Sequence, residues 1–239
     1  RVFAAGGEEI GQFATERRVV IGYNDIPEVL RQAIISSEDA AFFEHFGLNI
    51  RRTAVTFVQN ILRQRLRGAS TLTQQLARQG SLDGAAPLGT EKAWSRKFNE
   101  ALITIQIEKR YTKREILTLY CNQMYLGSGA YGVEAASRLY FGKPALELKL
   151  EEAALIAGIF QSPGRQSPLL NPDEAKSRRN YVLGEMRDNG YITAAEAQTA
   201  MASDILLTER TPQRQTVAPY FVEDVRQHLE DTYGADSLY

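Results

Sequence analysis

Apolar and polar residues alternate through the first 24 positions, as VFAAGGEEIGQF and then RRVVIGY, around the pair Gly6-Gly7. Period-two alternation flanking a glycine pair predicts two short strands joined by a turn. From Asp25 onward the period lengthens to that of a helix. Val29, Leu30, Ala33, Ile34 and Ser37 recur on one helical face, with Asp25 as candidate cap and Pro27 in the first turn. Thr71 with Gln74, Thr112 with Glu115, and Thr193 with Glu196 have capping-box spacing. Ile116, Tyr120 and Met124 follow at i, i+4, i+8, and Glu151 to Phe160 reads as an apolar helix stopped by Ser162-Pro163-Gly164. Residues 161–172 hold three prolines and read as a loop. Thr208 to Ala218 is polar and helix-poor, and a short acidic amphipathic segment, Tyr220 to Tyr233, follows it. The pattern predicts a mainly α domain over residues 25–207, a small β appendage over 1–24 and a linker over 208–239.

Composition narrows the classes. The 239 residues are 44% hydrophobic, ample for a core. A net charge of -1 and a pI of about 6.3 argue against a whole-chain nucleic-acid binder. The single cysteine, Cys121, excludes an intrachain disulfide and a thiolate zinc cluster. The longest apolar stretch, Ala153 to Phe160, falls far short of the ~20 residues of a membrane span. No signal-peptide pattern opens the chain, and a start at Arg1 rather than Met leads us to expect an upstream segment. The distribution of charge is more telling. No Asp or Glu occurs from His45 to Leu82, whereas Arg51, Arg52, Arg63, Arg65, Arg67 and Arg78 do. That concentration suggests an anionic partner.

Several segments carry candidate chemistry. In EDAAFFEHFG (38–47), Glu38, Phe42 and His45 stand at i, i+4, i+7, so a continuing helix would gather them on one face. A carboxylate beside aromatic rings, with Asp39 as neighbour, is a candidate general base. The bland alternative makes Phe42, Phe43 and Phe46 core and Glu38 a helix end. In GASTLTQQLARQ, a helix places Thr71, Gln75, Arg78 and Gln79 in a stripe about 100° wide, with Leu72 and Leu76 facing away. A hydroxyl, two amides and a guanidinium in one row suit phosphate or sugar hydroxyls, and a helix start adds free N–H groups. A merely solvated face would favour Glu and Lys over Thr and Gln. In WSRKFNEALITIQIEKRY, Trp94, Phe98, Ala101, Leu102 and Ile105 form an apolar face opposite Arg96, Lys97 and Glu100. Those charges read as a surface ion pair unless Glu100 faces the same cleft as Glu38.

Between the first two segments, residues 48–67 mix Ile50, Val55, Phe57, Val58, Ile61, Leu62 and Leu66 with five arginines. Such a stretch suits an anionic bilayer, with Phe57, Ile61 and Leu62 entering it, and is expected to be variably placed without lipid. Nucleic acid fits less well, since only Phe57 is available for base stacking. There is no glycine-rich phosphate loop, no metal-binding histidine pair (only His45 and His228) and no Gly-x-Ser-x-Gly.

Taken in order, these segments resemble a known family. EDxxFxxHxG is matched at Glu38, Asp39, Phe42, His45 and Gly47, and GASTLTQQ runs from Gly68 to Gln75. RKxxE is Arg96, Lys97 and Glu100; KxxILxxYxNxxxxG is Lys113, Ile116, Leu117, Tyr120, Asn122 and Gly127. A closing RxxxVLxxM is Arg178, Val182, Leu183 and Met186. Five motifs across residues 25–190 resemble the peptidoglycan glycosyltransferase domain (family-51 glycosyltransferases) of bifunctional class A penicillin-binding proteins. Arg78-Gln79 stand where that family commonly carries Lys-Asn, residues 80–92 are more glycine-rich than usual, and Cys121 replaces a usual leucine.

The resemblance implies a lysozyme-like, mainly α, two-lobed fold on the outer, periplasmic face of the bacterial cytoplasmic membrane. It implies an N-terminal transmembrane anchor and a C-terminal transpeptidase in the same polypeptide, neither within this chain, which has no Ser-x-x-Lys. The substrates would be lipid II and the nascent glycan chain, joined β-1,4 with inversion and release of undecaprenyl pyrophosphate. Glu38 would be the general base, and Glu100 and the basic residues would assist the pyrophosphate leaving group. Asp39, Phe42, His45, Ser70, Thr71, Gln75, Arg78, Gln79, Arg96, Lys97 and Arg178 would line the substrate site. Glu100 could orient the cations around the diphosphate or hold a divalent cation, Mg or Mn. A glycan-cleaving enzyme on a similar fold and a catalytically silent membrane-docking module are the alternatives; the cationic leaving-group side opposes the first, and the Glu38–Glu100 pair the second.

Overall fold

The computed structural model describes residues 2–3, 6, 9–11, 17–49, 70–79 and 93–208, and the chain divides into two compact units, 1–17 with 208–239, and 18–207. In the first unit, β1 (Val2–Phe3) pairs antiparallel with β2 (Glu9–Gly11), with Val2 opposite Gly11, Phe3 opposite Glu9 and Gly6 in the turn. This is the predicted hairpin. The predicted acidic segment near the C-terminus and all but the first residue of the predicted polar linker lie outside the described residues.

Among its described residues the second unit is mainly helical, as the periodicity predicts. It begins as the short strand β3 (Arg17–Arg18) ends, and Asn122 clips residue 21 in place by accepting from the Ile21 N–H and donating to its carbonyl, both at 2.9 Å. Helix α1 (Glu28–Glu38) starts after Pro27, whose extended backbone makes it the N-cap. Asp25 does not cap α1. It closes a 3-10 turn, Tyr23–Asp25, and its carboxylate accepts the Gly22 N–H at 3.1 Å. Leu30, Ala33 and Ile34 are fully buried on the expected face, joined by Ile35, Ser36 and Glu38.

Two groups of helices follow from the packing. In one, α1 lies against α6 (Leu150–Ile159) and α7 (Pro172–Asp188), and α8 (Ala194–Ala202) packs on α7. Every residue of α6 from Ala153 to Ile159 is buried, which its unbroken apolar run requires. Pro172 opens α7, where its missing N–H costs nothing. In the other, α2 (Leu72–Gln79) packs against α3 (Ala93–Arg110) and α4 (Lys113–Gln123). Strand β4 (Ala130–Tyr131) and α5 (Val133–Phe141) connect the groups, with α5 touching both α4 and α6.

The three capping boxes form as spaced. Gln74 accepts from the Thr71 N–H at 2.9 Å, Glu115 from Thr112 at 2.7 Å and Glu196 from Thr193 at 2.7 Å. The Thr112 backbone N–H, then its hydroxyl, hold the Glu115 carboxyl below its usual range.

The faces of α3 are the reverse of the expectation. Glu100 and Thr104 are fully buried and Ile107 nearly so, whereas Phe98 is 66% and Leu102 45% exposed. A polar face can turn inward when its groups find partners there. Thr104 donates to the Glu100 carbonyl at 2.7 Å, and the Glu100 carboxylate is paired by cations on both sides.

Cys121, on the buried side of α4, is a free thiol whose pKa burial pushes up to about 12. Native protein at pH 8 is therefore expected to resist a thiol reagent such as dithionitrobenzoate, with one equivalent reacting only after unfolding. Rapid native labelling would show that α4 opens locally.

Candidate active site

Helix α1 does not run on through the histidine. Asp39 is its C-cap, with φ -158° and ψ 75°, and residues 40–47 form turns. Glu38, Phe42 and His45 therefore do not share a helical face. Phe42 is fully buried, but Phe43 and Phe46 are 52% and 61% exposed, so the three rings do not form a common core. The turn is set by polar contacts. Buried Asp39 meets His45 Nε2 at 3.0 Å with both oxygens and accepts the Leu72 N–H at 3.2 Å, placing a carboxylate at the start of α2. His45 Nδ1 accepts the Gly47 N–H at 3.0 Å, which leaves Nε2 as the nitrogen donating to Asp39.

Gly47 completes the junction. Its carbonyl accepts from the Thr71 hydroxyl at 2.6 Å. Its φ of +89° and the proximity of Glu108 and Thr104, whose side chains would lie 2.6 and 2.7 Å from any Cβ, require glycine. Asp39, His45 and fully buried Thr71, expected among the substrate contacts, are thus joined in a network that ties the end of α1 to the start of α2.

Glu38 ends α1 largely buried, and donors from α2 and α7 reach its carboxylate. Gln75 Nε2 donates to Oε2 at 2.9 Å, and Arg178 Nη2 donates to Oε1 at 3.3 Å. Gln75 in turn accepts the Tyr120 hydroxyl at 2.9 Å through its own carbonyl oxygen. Arg178 comes from α7, with its guanidinium 4.5 Å from the centre of the Tyr181 ring. Its stem runs past Gly158, where a Cβ would lie 3.0 Å from Arg178 Cγ, so a larger residue there would require the Arg178 stem to shift by a few tenths of an ångström.

Glu100 is the second carboxylate, fully buried on α3. Lys97 Nζ lies 2.6 Å from Oε1 and Arg78 Nε 3.2 Å from Oε2, and each cation's side chain is 46% exposed. Both also reach the Ser70 hydroxyl, at 3.4 Å from Lys97 and 3.5 Å from Arg78. Gln75 and Arg78 stand three apart on α2, so one side of one helix serves both carboxylates. Gln79 instead lies against Met124, its Nε2 3.7 Å from the sulfur. Arg96 falls on α3, but its side chain lies outside the described residues, as do Phe57, Ile61 and Leu62 and the whole of 80–92.

The residue that sequence reasoning left out of the site is Tyr120. Its place in the YxN motif was visible, but its contact with Gln75 spans 45 residues and shows only in the fold. The Arg178–Glu38 contact, across 140 residues, is of the same kind.

A mainly helical scaffold thus holds one carboxylate between donors and a second beneath two half-exposed cations. The comparisons carry this further. A family model described as "Transglycosylase" matches residues 6–187, and the chain belongs to that family. It is 38% identical over 237 residues to penicillin-binding protein 1A of Neisseria cinerea, covering 99% of this chain and 29% of that protein. It is 36% identical to penicillin-binding protein 1A of Pseudomonas aeruginosa over 238 residues, covering 99% and 28%. The chain thus spans under a third of the length of these relatives. The crystal structure of penicillin-binding protein 1A from Haemophilus influenzae superposes with a TM-score of 0.60 at 26% identity, covering 99% of this chain and 24% of that one. The resemblance to peptidoglycan glycosyltransferases, and the mainly α fold it implied, stand.

Proposed function

We propose that this domain polymerises lipid II into β-1,4-linked glycan. Glu38 takes the proton from the 4-hydroxyl of the acceptor's GlcNAc as that oxygen bonds to C1 of the donor chain's MurNAc. The bond from C1 to the diphosphate breaks, and undecaprenyl pyrophosphate leaves with inversion. One observation carries this reading above the others: Gln75, which donates to Glu38, lies on the same side of α2 as Arg78, which meets Glu100 beside Lys97. An alcohol needs a base, and a diphosphate leaving group needs cations; Gln75, which holds the base, and Arg78, one of the cations, stand one helical turn apart on α2. In this reading Arg178 serves the base, while Arg78, Lys97 and Arg96 serve the phosphates.

Incubation with lipid II, with products resolved by gel, tests the reading. A ladder of lengthening strands is the expected result. Cleavage of preformed strands would favour the glycan-cleaving alternative, and no reaction the silent docking module.

For Glu100, orientation of the two cations is the better-supported role. Its oxygens face an ammonium and a guanidinium, a donor set poorly suited to Mg or Mn, which prefer several oxygen ligands. Turnover is therefore expected to survive an excess of EDTA. Loss on chelation, restored by Mg or Mn, would move a divalent cation into the leaving-group role.

The remaining partners follow the relatives' names and the charge pattern. We place the domain at the outer face of the cytoplasmic membrane, in a polypeptide that also carries an anchor and a transpeptidase. No helix among the described residues is long and apolar enough to cross a membrane. Residues 48–67 supply the surface contact, with arginines worth ~1 kcal/mol each against anionic headgroups. A Phe57→Ser, Ile61→Ser, Leu62→Ser variant should co-sediment less with anionic vesicles and turn over embedded lipid II more slowly. Equal binding and equal turnover would remove the segment from the mechanism.

A further inference from the structure

Glu38 is the last residue of α1, at the point where the backbone leaves the helix, and its side chain must hold one orientation to accept a proton from a sugar hydroxyl. The Gln75 amide supplies one hold, 2.9 Å from Oε2, but an amide has two ends and can turn. Its other end is taken by Tyr120, whose hydroxyl donates to Gln75 Oε1 at 2.9 Å. The tyrosine ring is itself closely packed. It is fully buried on α4 and stacked on Phe160, with centroids 4.8 Å apart and planes 14° from parallel. We propose that Tyr120 is a positioning residue for the transfer reaction, acting through Gln75 to aim the amide donor that holds Glu38. The proposal rests on the function given above.

The chemistry of the chain of contacts has a direction. Burial above all, reinforced by the Glu38 charge, raises the Tyr120 phenol well above its ordinary value. It stays protonated and donates. With its carbonyl oxygen engaged by that donor, the Gln75 amide presents N–H toward Glu38. Without the hydroxyl, that oxygen loses its donor and the amide is free to turn, placing oxygen against carboxylate for part of the time. Misplacement of a catalytic group by a fraction of an ångström is enough to slow a reaction while leaving substrate affinity intact.

Tyr120→Phe removes only the hydroxyl and keeps the stack on Phe160. With labelled lipid II as substrate, kcat is expected to fall on the order of tenfold with KM unchanged. The decisive measurement repeats the substitution in a Gln75→Met background. If Tyr120 acts through Gln75, Tyr120→Phe costs nothing further there. A purely structural role would cost the same in both backgrounds, and that additivity would overturn the proposal, as would an unchanged kcat in the single variant. A Gln75→Met protein no more active than Glu38→Gln would also overturn it, since positioning alone cannot equal loss of the base. Should wild type itself fail to polymerise lipid II, the proposed function fails instead, and the two failures are told apart.

Discussion

Glu38→Gln is expected to lower the rate of lipid II polymerisation on the order of 10²–10⁴-fold, to the background of the assay, while the protein stays folded. The amide has the shape of the carboxylate but cannot take a proton at pH 7. Its surroundings sharpen the effect. Glu38 receives donors on both oxygens, from Gln75 at 2.9 Å and from Arg178 at 3.3 Å. A glutamine there must turn its own N–H₂ toward one of them, and Gln75 cannot easily reverse because Tyr120 holds its carbonyl. The fold should tolerate this, since α1 is anchored by Leu30, Ala33 and Ile34 rather than by its last residue. Gel analysis of labelled product, with thermal unfolding as control, checks both halves. A well-folded variant retaining more than about a tenth of wild-type rate would sink the assignment of Glu38 as base.

How much of this was legible beforehand depended on the range of the interaction. Helix α6 was plain because an unbroken apolar run can only be buried, and the capping boxes because their partners stand three residues apart. The motifs named the family and its two carboxylates. What sequence periodicity misjudged was α3. Apolar residues are assigned inward by default, yet here the inward side belongs to Glu100 and Thr104, whose partners come from α2 and from α3 itself. The same limit applied at residues 38–47. A helical count gathered Glu38, Phe42 and His45, but Asp39 leaves the helix to reach His45 and the Leu72 N–H of α2. Thr71 was likewise taken for a surface donor because its bond to the Gly47 carbonyl crosses 24 residues. Local patterns reveal local partners. A buried polar network is written across distant segments and is read only after they meet.

That network sets the second large effect expected. Arg78→Ala and Lys97→Ala should each weaken lipid II turnover, and binding of a phosphoglycolipid inhibitor of the moenomycin type, by at least about tenfold, the size of one charged hydrogen bond. Each cation has two duties that must be separated. One is the proposed contact with the diphosphate, through the half-exposed side chain; the other is toward buried Glu100, at 3.2 Å from Arg78 and 2.6 Å from Lys97. Removing a cation therefore strips the buried carboxylate of a partner, which by itself can cost up to about 3 kcal/mol of stability. Combining each substitution with Glu100→Gln resolves the ambiguity, because the neutral amide no longer needs two positive partners. If the cations serve only to neutralise Glu100, the double variants recover inhibitor affinity and thermal stability together. If they contact phosphate, stability returns and affinity does not. The second outcome is expected, since the Ser70 hydroxyl also lies within reach of both, at 3.5 Å from Arg78 and 3.4 Å from Lys97, and gathers them on one side of Glu100. Wild-type inhibitor affinity in both single variants would place the leaving group elsewhere on the domain.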